Sequence, residues 1–132
     1  MKNLLLDTHI WIWSVTQPER LSRRVRAAVE NPQVVKWLSP ISPWEVCLLI
    51  ERGRLDFGMS GPAWISQALR AIPVREASLT HDIAVESRSL AGISQDPADR
   101  FIVATARVLE LTLVTSDREI LKSTACAVLS NA

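Results

Sequence analysis

The sequence predicts an α/β fold, a parallel sheet sandwiched between helices, in one domain over residues 1–132. Short apolar runs suited to buried strands recur at residues 3–6, 34–38, 111–115 and 126–129, and segments with helical periodicity and helix-start signals separate them. Strands alternating with helices pair in parallel through right-handed crossovers. A chain of 132 residues that is 48% hydrophobic holds one core, and is too short for two domains of ordinary size.

The elements follow in order. Residues 3–6 are a short leucine run that stops at Asp7, as suits a strand covered on both faces. A loop surrounds Pro18. SRRVRAAVE, residues 22–30, sets Val25, Ala28 and Val29 on one face with arginines elsewhere and stops at Asn31 and Pro32, which predicts an amphipathic helix. VVKWL at 34–38 is apolar and β-branched enough for a strand. Ser42 as cap, Pro43 at the first helical position and Glu45 three residues after the serine fit a capping box, for a helix running to Gly53. Pro62 opens another helix that carries Trp64, Ile65, Ala68 and Leu69 inward. Residues 72–74 are a weak strand. Thr80 caps a helix through Leu90, ended by Gly92. Asp96, Pro97 and Asp99 repeat the cap, proline and acid pattern and open a helix to about Glu110. The runs LTLVT and CAVL are the last two strands, with a short helix from Asp117 to Lys122 between them.

Composition excludes more than it assigns. Fifteen basic residues against fourteen acidic give a net charge of +1, which neither demands nor forbids a nucleic-acid partner. Cys47 and Cys126 lie far apart without metal-ligand spacing and read as buried thiols of a reducing cytosol, which gives zinc no support. MKNLLLD is too short for a signal sequence, and no apolar run approaches the roughly 20 residues that span a bilayer. A cytoplasmic protein without membrane contact is expected. The chain lacks GxxxxGK[ST], GxGxxG after the first strand and GxSxG, so nucleoside triphosphates, dinucleotides and a serine nucleophile have no support.

Four carboxylates carry the chemistry: Asp7 after the first strand, Glu45 and Asp99 at helix starts, and Asp117 after LTLVT. In an alternating α/β chain the carboxyl ends of strands face one crevice, the usual ligand site. Four acids in one crevice repel one another unless a divalent cation holds them. Each alone has a structural explanation, since acids at helix starts gain about 0.3 to 1 kcal/mol from the helix dipole. Capping does not explain why all four fall at ends expected to share a crevice. Asp96 reads first as a cap before Pro97. His9 is placed to approach the crevice, and His81 reads as solvated. Trp11 and Trp13 offer faces for bases but read better as core or subunit-interface residues. Thr115 and Ser116 are candidates to fix a carboxylate or bind phosphate. Arg100 and Arg118, each beside an acid, suit RNA phosphates, acids of a protein partner, or surface ion pairs.

LLLDTHIWIW, SPWEV, DPADRFIVATA and LTLVTSDREIL, in this order and spacing, resemble a PIN-domain nuclease of the VapC toxin type over nearly the whole chain. Asp7, Glu45, Asp99 and Asp117 match that family's acidic positions. The resemblance implies a site for Mg²⁺ or Mn²⁺, ribonuclease activity by metal-activated water, a homodimer, and an antitoxin that blocks the site. Two features depart from the family: the alanine of DPADR, where a bulkier residue is common, and the prolines of KWLSPISPWE. Neither touches a carboxylate. Other readings stay open: a nuclease of the same fold in RNA or DNA processing without an antitoxin, a receiver-like acidic Mg²⁺-binding phosphoacceptor, and a catalytically idle binding module. A receiver needs a lysine near the aspartates after a late strand, and Lys122 lies well past Asp117. The sequence does not name the RNA.

Overall fold

The computed structural model describes residues 2–132. Five strands form one sheet: β1 (Asn3–Leu6), β2 (Val35–Leu38), β3 (Arg75–Glu76), β4 (Thr112–Thr115) and β5 (Val128–Ser130). Their order is β3-β2-β1-β4-β5, and every pairing is parallel. Leu4, Leu5 and Leu6 are fully buried in the central strand. Their alternation sends Leu4 and Leu6 into one core and Leu5 into the other.

Among the described residues seven helices and one 3-10 turn (Pro18–Arg20) connect the strands: α1 (Thr8–Thr16), α2 (Arg23–Glu30), α3 (Ile41–Glu51), α4 (Gly61–Ala71), α5 (His81–Glu86), α6 (Pro97–Val108) and α7 (Arg118–Lys122). The core containing Leu4 and Leu6 is built with α1, α2 and α4, through Trp11, Val25, Val29, Trp64 and Ala68. The other core takes Ile83 of α5 and Ile102 and Val103 of α6. The parallel sheet between helices expected from the sequence is the one observed.

Several local expectations need correction, and the helix capped by Thr80 ends at Glu86 and not at Leu90. Helix α1 was not foreseen: Ile10, Trp11 and Ile12 are consecutive and all buried, so the segment has no apolar stripe to read. Helix α3 starts at Ile41, earlier than a Ser42 cap allows. Pro40 is already helical at φ −56 and ψ −20, and Ser39 Oγ accepts from Ile41 N at 3.1 Å. Strand β3 lies at Arg75–Glu76 and not 72–74, because its pairing with Trp37 and Leu38 sets its place. Leu69 is 43% exposed where an inward position was expected. No helix among the described residues is long and apolar enough to cross a membrane.

Candidate active site

From β1 the chain builds outward through β2 and β3, then crosses to β4 and β5 on the other side. The switch point therefore lies between β1 and β4, and a crevice opens beyond their carboxyl ends. Asp7 follows β1 directly, and its N–H donates to Val114 O of β4 at 3.1 Å; Ser116 and Asp117 follow β4. The cleft has a volume of about 380 Å³ and is lined by Asp7, His9, Ile10, Trp13, Glu45, Asp96, Asp99, Ser116 and Asp117. All four acids singled out by sequence line it, and so does Asp96. Among the described residues no lysine or arginine does. A larger hollow of about 430 Å³, lined by Leu21, Val29, Lys36 and Ile72 among others, contains none of these acids.

Asp7 caps α1, with Oδ1 accepting from Thr8 N at 2.9 Å. Its other oxygen, Oδ2, accepts from Thr115 Oγ1 at 2.6 Å, and the same hydroxyl oxygen accepts from Asp117 N at 3.0 Å. Buried Thr115 thus ties the two aspartates together. Burial raises the Asp7 carboxyl above its ordinary value against the lowering effect of the Thr115 and Thr8 hydrogen bonds, and Asp117 pushes it further up. Asp117 caps α7 through Oδ1, which accepts from Glu119 N at 2.9 Å and Ile120 N at 3.2 Å.

Asp99 stands in the first turn of α6, and its Oδ2 accepts from Ser94 Oγ at 3.0 Å. Burial foremost, then Asp96, Asp7 and Asp117, push it up to about 7 against the lowering effect of Ser94. Asp96 is the cap expected of it, Oδ1 accepting from Ala98 N at 3.0 Å, and the residue also lines the cleft. Glu45 differs from the rest. The capping box is absent, since Ser42 Oγ meets Thr8 Oγ1 at 2.9 Å in a buried contact, and the first turn of α3 holds no acid. Burial raises the Glu45 carboxyl most, Thr8 lowers it, and Asp7 and Asp96 raise it further. Among the described residues no three acidic, histidine or cysteine side chains form a ready-made metal cage. Carboxylate oxygens are the donor type Mg²⁺ takes, usually one or two of them beside several waters.

Some of the other residues stand where the sequence suggested and some do not. Arg100 is 4% exposed and reaches no phosphate or partner acid: it donates to the carbonyls of Ser87, Leu90, Ile93 and Ser94 at 2.8 to 3.2 Å. It latches the loop that carries Ser94 to Asp99. Trp11 is fully buried in the core, edge-on to Trp64 at 5.2 Å, the first of the two places expected for it. Trp13 lines the cleft. Arg118 and His81 are exposed, and His9 is both exposed and in the cleft wall. Cys47 and Cys126 are free and only partly buried. Lys122 is exposed at the end of α7 and does not line the cleft, so the receiver-like reading lacks its cation. Sequence reasoning missed Thr8 and Ser94, and read Ser42 as a helix cap. Only Ser94 carried a local signal, a serine two residues before Asp96 whose Oγ accepts the Asp96 N–H at 3.3 Å.

The PIN domain family model matches residues 4–125. The chain is 33% identical over 121 residues to Ribonuclease VapC22 of Mycobacterium tuberculosis, covering 91% of each chain. It is similar in structure to FitAcB from Neisseria gonorrhoeae, with a TM-score of 0.65, 25% identity and 96% of both chains covered. VapBC2 from Rickettsia felis, bound to a DNA fragment from their promoter, matches at a TM-score of 0.65 and 13% identity over 97% of this chain and 98% of that one; at that identity the likeness shows the fold alone. Matched along most of its length by the family model and by a relative at 33% identity, this chain belongs to the PIN-domain family and is homologous to its VapC-type ribonucleases.

Proposed function

We propose that this chain is a metal-dependent endoribonuclease and the toxin of a toxin and antitoxin pair. The observation that carries the reading is the gathering of Asp7, Glu45, Asp99 and Asp117 around one cleft that no lysine or arginine lines. Carboxylates so placed repel one another unless protons or a cation offset their charge, and their oxygens suit Mg²⁺ or Mn²⁺. Asp7, Asp99 and Asp117 would hold one or two such ions, with Glu45 completing the set or orienting the attacking water. When bound, the ion would acidify that water and offset charge on the cleaved phosphate.

The chain's own residues prepare the site. Thr115 fixes Asp7 by donating to Oδ2, and Ser94 fixes Asp99 in the same way. Ser116 sits in the lining, where its hydroxyl suits a phosphate oxygen. RNA as substrate rests on the likeness to Ribonuclease VapC22. An antitoxin rests on the likeness to proteins solved as toxin and antitoxin complexes, such as one from Klebsiella pneumoniae. Such a partner would block the cleft with an arginine or lysine placed among the acids. A homodimer is supported by Trp44, 51% exposed on α3.

The test is incubation of the purified chain with cellular RNA and sequencing of the new ends. Cleavage is expected with Mg²⁺ or Mn²⁺, and none with excess EDTA or with a folded Asp7→Asn variant. Full activity in EDTA would overturn the metal requirement, and an active Asp7→Asn chain would reduce Asp7 to a cap.

A further inference from the structure

An acid floor repels the substrate just proposed. Asp7, Glu45, Asp96, Asp99 and Asp117 all line the cleft, so an RNA strand entering it must be held by cations or neutral faces outside the floor. One wall offers both. His9 and Trp13, one turn apart on α1, line the cleft with ring centroids 6.0 Å apart. The Arg20 guanidinium lies over the Trp13 ring, 4.3 Å from its centroid. Arg20 is exposed and pairs with no carboxylate among the described residues. Its position is fixed through the backbone: Asn131 Nδ2 donates to Arg20 O at 3.1 Å and to cleft-lining Ser116 Oγ at 3.3 Å, while Asn131 Oδ1 accepts from Ser22 N at 2.6 Å. One asparagine near the chain's end therefore clamps the 3-10 turn against the cleft rim.

We propose that His9, Trp13 and Arg20 form a base-stacking and phosphate-binding subsite that selects an unpaired RNA strand. This deepens the ribonuclease reading and rests on it. An indole face accepts any base, which gives grip without sequence preference. At 4.3 Å no ring fits between Arg20 and Trp13, so an incoming base displaces the guanidinium from the indole. The freed guanidinium then takes a phosphate at the cleft mouth, as its planar donor fork suits. His9 adds a hydrogen-bonding ring on the same wall. A duplex keeps its base faces stacked and cannot use the indole.

The experiment measures binding without cleavage, using Asp7→Asn as the parent chain in EDTA, a dye-labelled unstructured RNA oligonucleotide, and the same RNA annealed to its complement. The single strand is expected to bind more tightly than the duplex. Adding Trp13→Ala should weaken single-strand binding about 5- to 150-fold, the loss of one base stack, and Trp13→Phe should recover part of it. Arg20→Ala should lower the slope of log Kd against log salt by about 0.7, one phosphate contact. Arg20 is exposed, so that variant tests the subsite even if Trp13→Ala fails to fold. Unchanged binding in Arg20→Ala and Trp13→Phe, or duplex bound as tightly as single strand, would overturn the subsite. Wild-type cleavage, assayed alongside with Mg²⁺, tests the nuclease reading separately. A chain that binds as expected and never cuts keeps the subsite and loses the nuclease; one that cuts with variant-insensitive binding loses the subsite alone; one that neither binds nor cuts loses both.

Discussion

Replacing Asp99 with asparagine sets two physical effects against each other. Its carboxyl rises from the ordinary 3.8 to about 7 in the folded chain. Between those values the folded state keeps a proton that the unfolded state releases, so stability is fully present below about 3.8, falls as pH rises, and stands at its lowest above about 7. At about 1.4 kcal/mol per pH unit the rise has a ceiling of about 4 kcal/mol. Asp99 is only half-buried, and solvent screening reduces the cost to ~1–2 kcal/mol. Against it stands the attraction of a first-turn acid to the start of α6, ~0.3–1 kcal/mol. Burial and repulsion win. Without metal, Asp99→Asn should therefore be more stable than wild type by about 1 kcal/mol near pH 8, with the gain fading as pH falls toward about 4. Saturating Mg²⁺ should reverse the order, because a ligand at a hundredfold excess over Kd stabilises its host by about 2.7 kcal/mol and the variant has lost a donor. Urea melts near pH 4.5, 6 and 8, each in EDTA and in MgCl2, decide the matter. Equal destabilisation of the variant in every condition would refute the reasoning and leave Asp99 a helix-terminus residue.

Other perturbations read different parts of the site. Thr115→Val removes the hydroxyl that donates to Asp7 and accepts from Asp117 N; urea melts should show a loss of about 1–3 kcal/mol, and cleavage assays a fall of about 10- to 100-fold. Arg100→Met strips donors from four carbonyls and should cost about 3 kcal/mol or more, with faster hydrogen exchange over residues 87–95. Arg100→Lys, a single point donor, should restore only part of the protection. Light scattering should find a dimer that Trp44→Ser shifts toward monomer, and a wild-type monomer at high micromolar concentration would remove the dimer.

What the sequence revealed of the fold came from signals that are local. The leucine run of β1, the Asp96 and Pro97 start of α6 and the Asp117 cap of α7 need only their own neighbours, and each appears within a residue or two of its expected place. What it hid depends on contacts distant in the chain. Helix α1 packs between sheet and cleft and buries Ile10, Trp11 and Ile12 in succession, which erases the stripe that marks a surface helix. The start of α3 was read from Ser42, whose hydroxyl instead reaches Thr8, 34 positions away. Arg100, beside Asp99 in sequence, looked like a surface charge until the 87–94 loop closed over it.

The acids raise the question of whether capping alone accounts for them, and the geometry makes the two roles compatible. Asp7 and Asp117 cap α1 and α7, and Asp96 and Asp99 stand at the start of α6. Each of these helix starts offers unpaired N–H groups and partial positive charge, which lets carboxylates gather before any cation arrives. A cap also leaves oxygens for other work: Asp117 uses Oδ1 for both of its bonds to α7. Parallel strands with helices following them place such caps at one end of the sheet, so structural acids and site acids become the same residues. Glu45 breaks the pattern. It caps nothing, stands beyond the first turn of α3, and is pushed up by its own burial and by Asp7 and Asp96. Helix chemistry offers no return for that cost, which a proton on Glu45 or a cation beside it would offset.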